Sequence, residues 1–258
     1  NMSFMDRFSL KGKKIIVTGG AQGIGKAVSE AMADSGAEIG IFDMNIDLAK
    51  KTAAEIAQAY GTKVEAFQCN VTAPEDVDRA FADFLNSFGD LDGVFNNAGI
   101  CLHKEATEVT YDEWYKVVNV NLNGIFLVAR AAGRYFIDHG KKGSIVNTAS
   151  MSGHIVNIPQ PQASYNASKA GVSQLTKSLA VEWATKGVRV NCISPGYVGS
   201  DMVTLVRQDW QDTWLGMIPY HRYCDPKELA GGVIYLLSDA STYTSGCDLI
   251  IDGCFTCI

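Results

Sequence analysis

The chain has 258 residues, 22 Lys and Arg against 28 Asp and Glu, a formal net charge of −6, and 47% hydrophobic residues. That apolar content excludes a disordered chain, and the length suits one domain with a large core. The acidic balance excludes a broad nucleic-acid surface, which needs a clustered positive field, and leaves small molecules as the expected ligands.

The longest stretch without Asp, Glu, Lys or Arg, from Gly143 to Ser168, is interrupted by Ser, Asn, Gln and Pro. It cannot span a bilayer, so no membrane partner is expected. Residues Asn1 to Asp6 lack a basic region followed by an apolar run, and Asn1 ahead of Met2 reads as an added residue. A cytoplasmic protein is the expectation. Cys69, Cys101, Cys192, Cys224, Cys247, Cys254 and Cys257 are scattered and odd in number, which fits reduced thiols. Cys254 and Cys257 form a CxxC with no second pair at ligand spacing, and no metal is expected.

In chain order, short β-rich runs alternate with stretches of helical period. Strands are predicted at Lys14–Thr18, Glu38–Phe42, Lys63–Cys69, Leu91–Asn96, Ser144–Thr148, Arg189–Ile193 and Asp248–Ile251. Helices are predicted at about Gly23–Ser35, Ile46–Tyr60, Pro74–Phe88, Tyr111–His139, Ala163–Lys186 and Pro226–Leu237. Thr72 before Pro74 and Glu75, and Asp225 before Pro226 and Glu228, read as start signals. The alternation implies a Rossmann-type, doubly wound α/β fold: one seven-stranded parallel sheet flanked by helices. With no repeat and no linker, residues 1–258 form a single domain. The segments Pro159–Gln162 and Tyr197–Tyr223 fit the alternation poorly and are candidate substrate loops.

The first strand runs into Thr18-Gly19-Gly20-Ala21-Gln22-Gly23-Ile24-Gly25 and then a helix, the arrangement that places a pyrophosphate at a helix N-terminus. Asp43 ends the second strand, eighteen residues beyond Gly25, where a carboxylate can accept hydrogen bonds from the adenosine ribose. A 2′-phosphate there would meet that carboxylate, and Gln22 offers no positive charge, so NAD is expected over NADP. The competing reading of Asp43 is a cap for the next helix.

With that turn in place, further motifs make the chain resemble the short-chain dehydrogenase/reductases over nearly its whole length. Asn96-Asn97-Ala98-Gly99 resembles the family's NNAG, Asn121-Leu122-Asn123-Gly124 its helical asparagine, Ser150 its serine, and Tyr165-Asn166-Ala167-Ser168-Lys169 its YxxxK. Ser194-Pro195-Gly196-Tyr197-Val198 resembles its proline-glycine turn, and Asp252-Gly253 its C-terminal signature. Asn70 stands where many members have Asp, Cys254 replaces a glycine, and Tyr165 follows Ser150 by fifteen residues, longer than the family habit. Ser152 competes for the serine role; Ser150 is preferred because it directly ends the fifth strand.

The resemblance implies catalytic Asn121, Ser150, Tyr165 and Lys169. It places the dinucleotide on Gly19, Gln22, Gly23, Ile24, Gly25, Asp43, Asn70, Val71, Asn97, Ala98, Gly99, Tyr165, Lys169, Pro195, Gly196 and Val198. Tyr165 and Lys169 lie four apart and share a helix face. A nearby ammonium and an oxidised nicotinamide would stabilise tyrosinate, Ser150 would hold the substrate oxygen, and Asn121 would hold a water linking Lys169 to solvent.

The block from Ser150 to Gln162 and the tail from Asp252 to Cys257 resemble those of mannitol dehydrogenases and sorbose reductases, a group whose better-known fungal members prefer NADPH. Asp43 departs from that habit. Ser150, Ser152, Asn157, Gln160 and Tyr165 are the expected substrate residues, with His154 also placed in sequence where it could bond a substrate hydroxyl, and a polyol or keto sugar is the expected substrate. Apolar Met202, Val203, Leu205, Val206, Trp210, Trp214, Leu215 and Met217 keep a hydroxysteroid as an alternative, although lid packing or subunit contact is the simpler reading, and a 3-oxoacyl thioester is a further alternative. A dinucleotide sensor without catalysis would lack the four catalytic residues. His154 and His221 read as satisfied or surface histidines, and His103 and His139 carry no signal. The long helices resemble those through which family members pair, so a homotetramer is expected.

Overall fold

The computed structural model describes residues 3–258; Asn1, read above as an added residue, and Met2 lie outside the described residues. Seven parallel strands form one sheet in the order β3-β2-β1-β4-β5-β6-β7. They are β1 (Lys14–Thr18), β2 (Glu38–Asp43), β3 (Val64–Gln68), β4 (Gly93–Asn96), β5 (Gly143–Thr148), β6 (Val188–Pro195) and β7 (Asp248–Ile251). The helices are α1 (Gly23–Asp34), α2 (Ile46–Tyr60), α3 (Pro74–Phe88), α4 (Tyr111–Val118), α5 (Ile125–Asp138), α6 (Ala163–Trp183), α7 (Asp201–Thr204), α8 (Gln208–Met217) and α9 (Ala230–Leu237).

Helices cover both faces of the sheet, which is why the strands read as nearly continuous apolar runs. The side-chain period of two then sorts each strand between two layers. Ile15, Val17, Phe95 and Val146 pack with Val28 and Met32 of α1 and Val233 and Leu236 of α9. Ile16, Val94 and Ile145 pack with Phe81 and Phe84 of α3, Val128 and Phe136 of α5, and Leu179 and Trp183 of α6. Register aligns Thr18 with Asn96, and Asn96 with Asn147, so the C-terminal ends of β1, β4 and β5 are level. Sequence order reverses between β1 and β4, and the crevice at that switch point is where an open α/β sheet takes its ligand.

Three differences from the sequence reading have local causes. The stretch Tyr111–His139 is two helices joined by a π-helical turn, Asn119–Gly124, an irregularity that an apolar stripe does not register. Residues 197–223 contain α7 and α8 rather than a plain loop. Thr72 does not cap α3: its backbone N–H and hydroxyl both go to Asn70 Oδ1, and Ala73 occupies the cap position. Asp225 does act as read, in a reciprocal capping box with Glu228. No helix among the described residues is long and apolar enough to cross a membrane.

Candidate active site

The dinucleotide end is built by two loops stitched together. Thr18, closing β1, accepts the backbone N–H groups of Asn97 and Ala98 on its hydroxyl, each at 3.0 Å. Asn97 Nδ2 returns the contact to the Gly19 carbonyl at 3.2 Å. A Cβ on Gly25 would sit 2.1 Å from that same carbonyl oxygen, so only glycine lets α1 start this close to the turn. Gly23 has φ +55° and nothing within 4 Å of where its Cβ would be, which leaves its outer side open to a ligand. Gln22 is exposed and makes no side-chain cap contact at the α1 N-terminus.

The other expected cofactor residues surround this turn. Asp43 spends its carboxylate on two backbone N–H groups, Ala21 at 3.2 Å and Asn45 at 3.0 Å. Asn70 is turned inward on Thr72, and Val71 is buried against Gly124 of the π turn. Gly196 donates its N–H to the Ile251 carbonyl, at 2.9 Å, and a Cβ there would meet Asp252 at 2.7 Å. Ile24, Pro195, Gly196 and Val198 line the main cavity of the crevice.

Ser150 follows β5 and caps the 3₁₀ turn Met151–Gly153, its Oγ accepting the Ser152 N–H at 3.1 Å. Tyr165 and Lys169 come from the first turns of α6. Burial pushes the Tyr165 hydroxyl pKa upward, and the neighbouring Ser150 hydroxyl acts against it. The Ser152 hydroxyl accepts from Gln162 Nε2 at 3.4 Å. Lys169 is 3% exposed, and burial lowers its pKa to about 8. Its Nζ lies 5.6 Å from the Tyr165 ring centroid and donates to the Thr148 carbonyl at 2.7 Å.

Asn121, in the π turn, is fully buried. Its Oδ1 accepts the Ile100 N–H at 2.8 Å and its Nδ2 donates to the Ile100 carbonyl at 2.9 Å and to Ser168 Oγ at 3.1 Å. The side chain therefore pins the β4–α4 connection to α6.

Two observations fit the crevice to a dinucleotide. An ammonium carries three donors, and Lys169 spends one of them on protein. Thr148 Oγ1, at the cavity wall, is buried without a partner among the described residues. Buried polar groups are rarely left so unless something else completes them.

The cavity holds about 620 Å³, its open mouth included. Ser150 and Tyr165 line it, and Ser152, Asn157, Gln160 and Gln162 form a polar wall of which every member is buried. Tyr197, Trp214, Met202 and Val203 complete it from the segment after β6. Asn157 Nδ2 and Gln160 Nε2 both donate to the Tyr197 hydroxyl, at 3.0 and 3.1 Å. Gln160 Oε1 accepts the Trp214 indole N–H at 2.8 Å.

A family model described as enoyl-(acyl carrier protein) reductase matches residues 19–256. A solved structure titled as a short-chain type dehydrogenase/reductase from Mycobacterium marinum superposes with a TM-score of 0.96 at 40% identity, covering 99% of this chain and 100% of its own. The chain belongs to the short-chain dehydrogenase/reductase family. Among relatives of this dehydrogenase/reductase, a sorbose reductase of Candida albicans is 44% identical, over 98% of this chain and 90% of the relative. A probable NADP-dependent mannitol dehydrogenase of Yarrowia lipolytica is 44% identical, over 99% and 91%. An NADP-dependent mannitol dehydrogenase of Alternaria alternata is 43% identical, over 96% and 94%.

These relatives overturn the expectation of NAD over NADP. That expectation treated Asp43 as a free charge facing the ribose. In this dehydrogenase/reductase the carboxylate is held by Ala21 and Asn45, close to the cap role set against ribose binding above, and its charge is partly balanced by two N–H dipoles.

Sequence reasoning missed several cavity residues. His103 and Cys101 line it, with Cys101 Sγ 3.4 Å from His103 Nε2. Burial raises the Cys101 pKa to about 12, so it is a neutral thiol. Gln162 was named only as part of a loop, yet it joins Ser152, Asn157 and Asn166. Tyr197 and Trp214 were read as a turn residue and lid packing. The spacing of Trp210 and Trp214 was the available signal, since it puts both indoles on one helical face. The apolar segment does pack as a lid: Trp214, Ile218 and Phe255 form a small core with Met151 and Tyr197. His154 is a satisfied histidine, its Nε2 2.9 Å from Asp248 Oδ2. Cys254 and Cys257 are exposed free thiols.

Proposed function

We propose that this oxidoreductase interconverts a polyol and its keto sugar with NADP(H). The observation that carries the reading is the wall of buried hydroxyl and carboxamide groups that lines the cavity with Ser150 and Tyr165. The carboxamides are paired with one another, but the Ser150, Ser152 and Tyr197 hydroxyls only accept within this network; a sterol or acyl chain would leave their protons unspent, whereas a polyhydroxylated chain can take them. The names of the sorbose reductase and the two mannitol dehydrogenases support the same substrate class and the phosphorylated cofactor.

The dinucleotide would lie across Gly19, Gly23 and Gly25, with Asn97, Ala98 and Gly99 on one side, Pro195, Gly196 and Val198 on the other, and its nicotinamide ribose on Lys169. When bound, it supplies the hydride or accepts it. Tyr165, kept protonated by burial, is already the acid that reduction requires, and donates its proton to the carbonyl oxygen as charge develops there. Ser150 holds that oxygen with a hydrogen bond that strengthens along the way. Lys169 is cationic at neutral pH and stabilises the tyrosinate that results. Asn121 acts through position, fixing Ile100 and α6. In the reverse direction Tyr165 accepts the alcohol proton, which favours alkaline conditions.

The test follows reduced-cofactor absorbance with NADP⁺ and NAD⁺ across polyols, a hydroxysteroid and a hydroxyacyl thioester, with keto sugars in the reverse direction. NADP-linked polyol turnover is the expected result, and turnover confined to the steroid or thioester overturns the reading. Tyr165→Phe should lose about 10²–10⁴-fold in turnover while still binding NADPH; retained turnover would remove Tyr165 from the chemistry. Exposed Tyr111 and Tyr115 on α4 and Val181 on α6 support the homotetramer. Light scattering at micromolar concentration should give a mass four times that of the chain, and a monomer would refute it.

A further inference from the structure

A tyrosine hydroxyl can accept two hydrogen bonds and donate one. At Tyr197 the two donors that reach the oxygen are amides, and their orientation can be fixed from within the network. The indole N–H of Trp214 can only donate, so the atom of Gln160 that it meets at 2.8 Å is Oε1. Gln160 Nε2 therefore faces Tyr197 at 3.1 Å and Gln162 at 3.3 Å, which makes the facing Gln162 atom Oε1. Gln162 Nε2 then donates to Asn157 Oδ1 at 3.1 Å, and Asn157 presents Nδ2 to Tyr197 at 3.0 Å. Both incoming groups are donors, and neither can take the phenolic proton.

That proton is spent on no acceptor among the described residues. Tyr197 lines the cavity together with Ser150 and Tyr165. Its ring is stacked on Trp214, with centroids 4.5 Å apart and planes 15° apart, and meets Phe255 edge-on at 5.6 Å. The hydroxyl is thus held in place before any substrate arrives. Burial raises its pKa, so the proton is retained at neutral pH.

We infer that Tyr197 is a specificity-determining substrate residue whose O–H donates to a hydroxyl oxygen of the substrate other than the oxygen undergoing reaction. The reacting oxygen already has the Ser150 and Tyr165 hydroxyls. Asn157 and Gln160, named from sequence as substrate residues, serve this donor by filling its two acceptor sites. The inference rests on the polyol reading and deepens it.

The test measures kcat/KM for reduction of a keto sugar, of its deoxy analogues lacking one hydroxyl each, and of cyclohexanone, with wild type and Tyr197→Phe, using NADPH. In the wild type, removing one particular hydroxyl should cost about 10–100-fold. Tyr197→Phe should lose a comparable factor on the intact sugar, mainly in KM, and nothing further on that one deoxy analogue. Cyclohexanone, with no hydroxyl to accept the bond, should be reduced within about twofold of wild type by the variant.

Losses that multiply for every analogue, or an equal loss on cyclohexanone, overturn the inference. So does a wild type indifferent to every deoxy substitution, a result that does not depend on how well the variant folds. A wild type that reduces cyclohexanone and acts on no sugar or polyol fails the polyol reading itself, and the inference falls with it.

Discussion

Tyr165, Lys169 and Ser150 show how a single side chain's surroundings set its chemistry. Burial drives the phenol and the ammonium in opposite directions, up for one and down for the other, and both shifts favour the neutral form. Without a cationic ligand the phenol keeps its proton, in keeping with the expectation that the ammonium acts together with an oxidised nicotinamide. Gly25 is a second residue whose role is set by tenths of an ångström. Gly25→Ala places a methyl 2.1 Å from the Gly19 carbonyl and 2.8 Å from Asn97 Nδ2, both parts of the stitched turn. We expect a stability loss of about 3 kcal/mol by urea unfolding and at least a tenfold weaker NADPH affinity by fluorescence titration. An unchanged affinity would show that the turn does not hold the dinucleotide. These residues were legible in the sequence because their types and spacing carry chemistry together. His103, Tyr197 and Gln162 were not, since a histidine, a tyrosine or a glutamine acquires meaning only from what the fold places beside it.

At the scale of elements, β7 fastens the substrate wall. Asp248 accepts Ser194 of β6 on Oδ1 at 2.6 Å and Ser173 of α6 on Oδ2 at 2.6 Å, with His154 also on Oδ2 at 2.9 Å. One carboxylate so joins a strand, a helix and the end of the turn that begins at Ser150. Asp248→Ala leaves those donors without their partner and should cost about 2 kcal/mol in urea unfolding. It should also lower kcat, through a loosened Ser150, more than it raises KM; an unaltered kcat would show that the fastening is structural only. Strand positions could be read from sequence because both faces of the sheet are covered. The π turn and α8 could not: the first preserves the apolar stripe that marks a helix, and the second lies in a stretch where alternation between strands and helices lapses. Its helical period was present in Trp210 and Trp214 but was outweighed by the loop-like surroundings.

Across the whole molecule, thiols take the place of aliphatic packing at several points. Cys69 and Cys192 are buried, and burial raises both pKa values, that of Cys69 to about 12. In the unfolded chain these groups ionise near their ordinary value, about 8.5. The folded state holds protons that the unfolded state releases, so their contribution is intact below that value and is lost as pH rises toward 12. Stability measured by urea unfolding should fall from pH 9 to 11 under reducing conditions. The double variant Cys69→Ala, Cys192→Ala should start lower and lose less over that range. A parallel decline in both proteins would place the alkaline sensitivity elsewhere.

The segment after β7 has a reach that its position at the rim conceals. Asp252 presses on Gly196, which sits in the expected nicotinamide turn, and its carboxylate accepts the Thr256 N–H at 2.8 Å. Phe255, 7% exposed, is wedged edge-on against Tyr197. Both walls of the crevice thus lean on these few residues, like a keystone set last. Clipping the chain after Gly253 would therefore silence turnover by loosening Gly196 and Tyr197 together, although the residues removed are not ones read as touching cofactor or substrate.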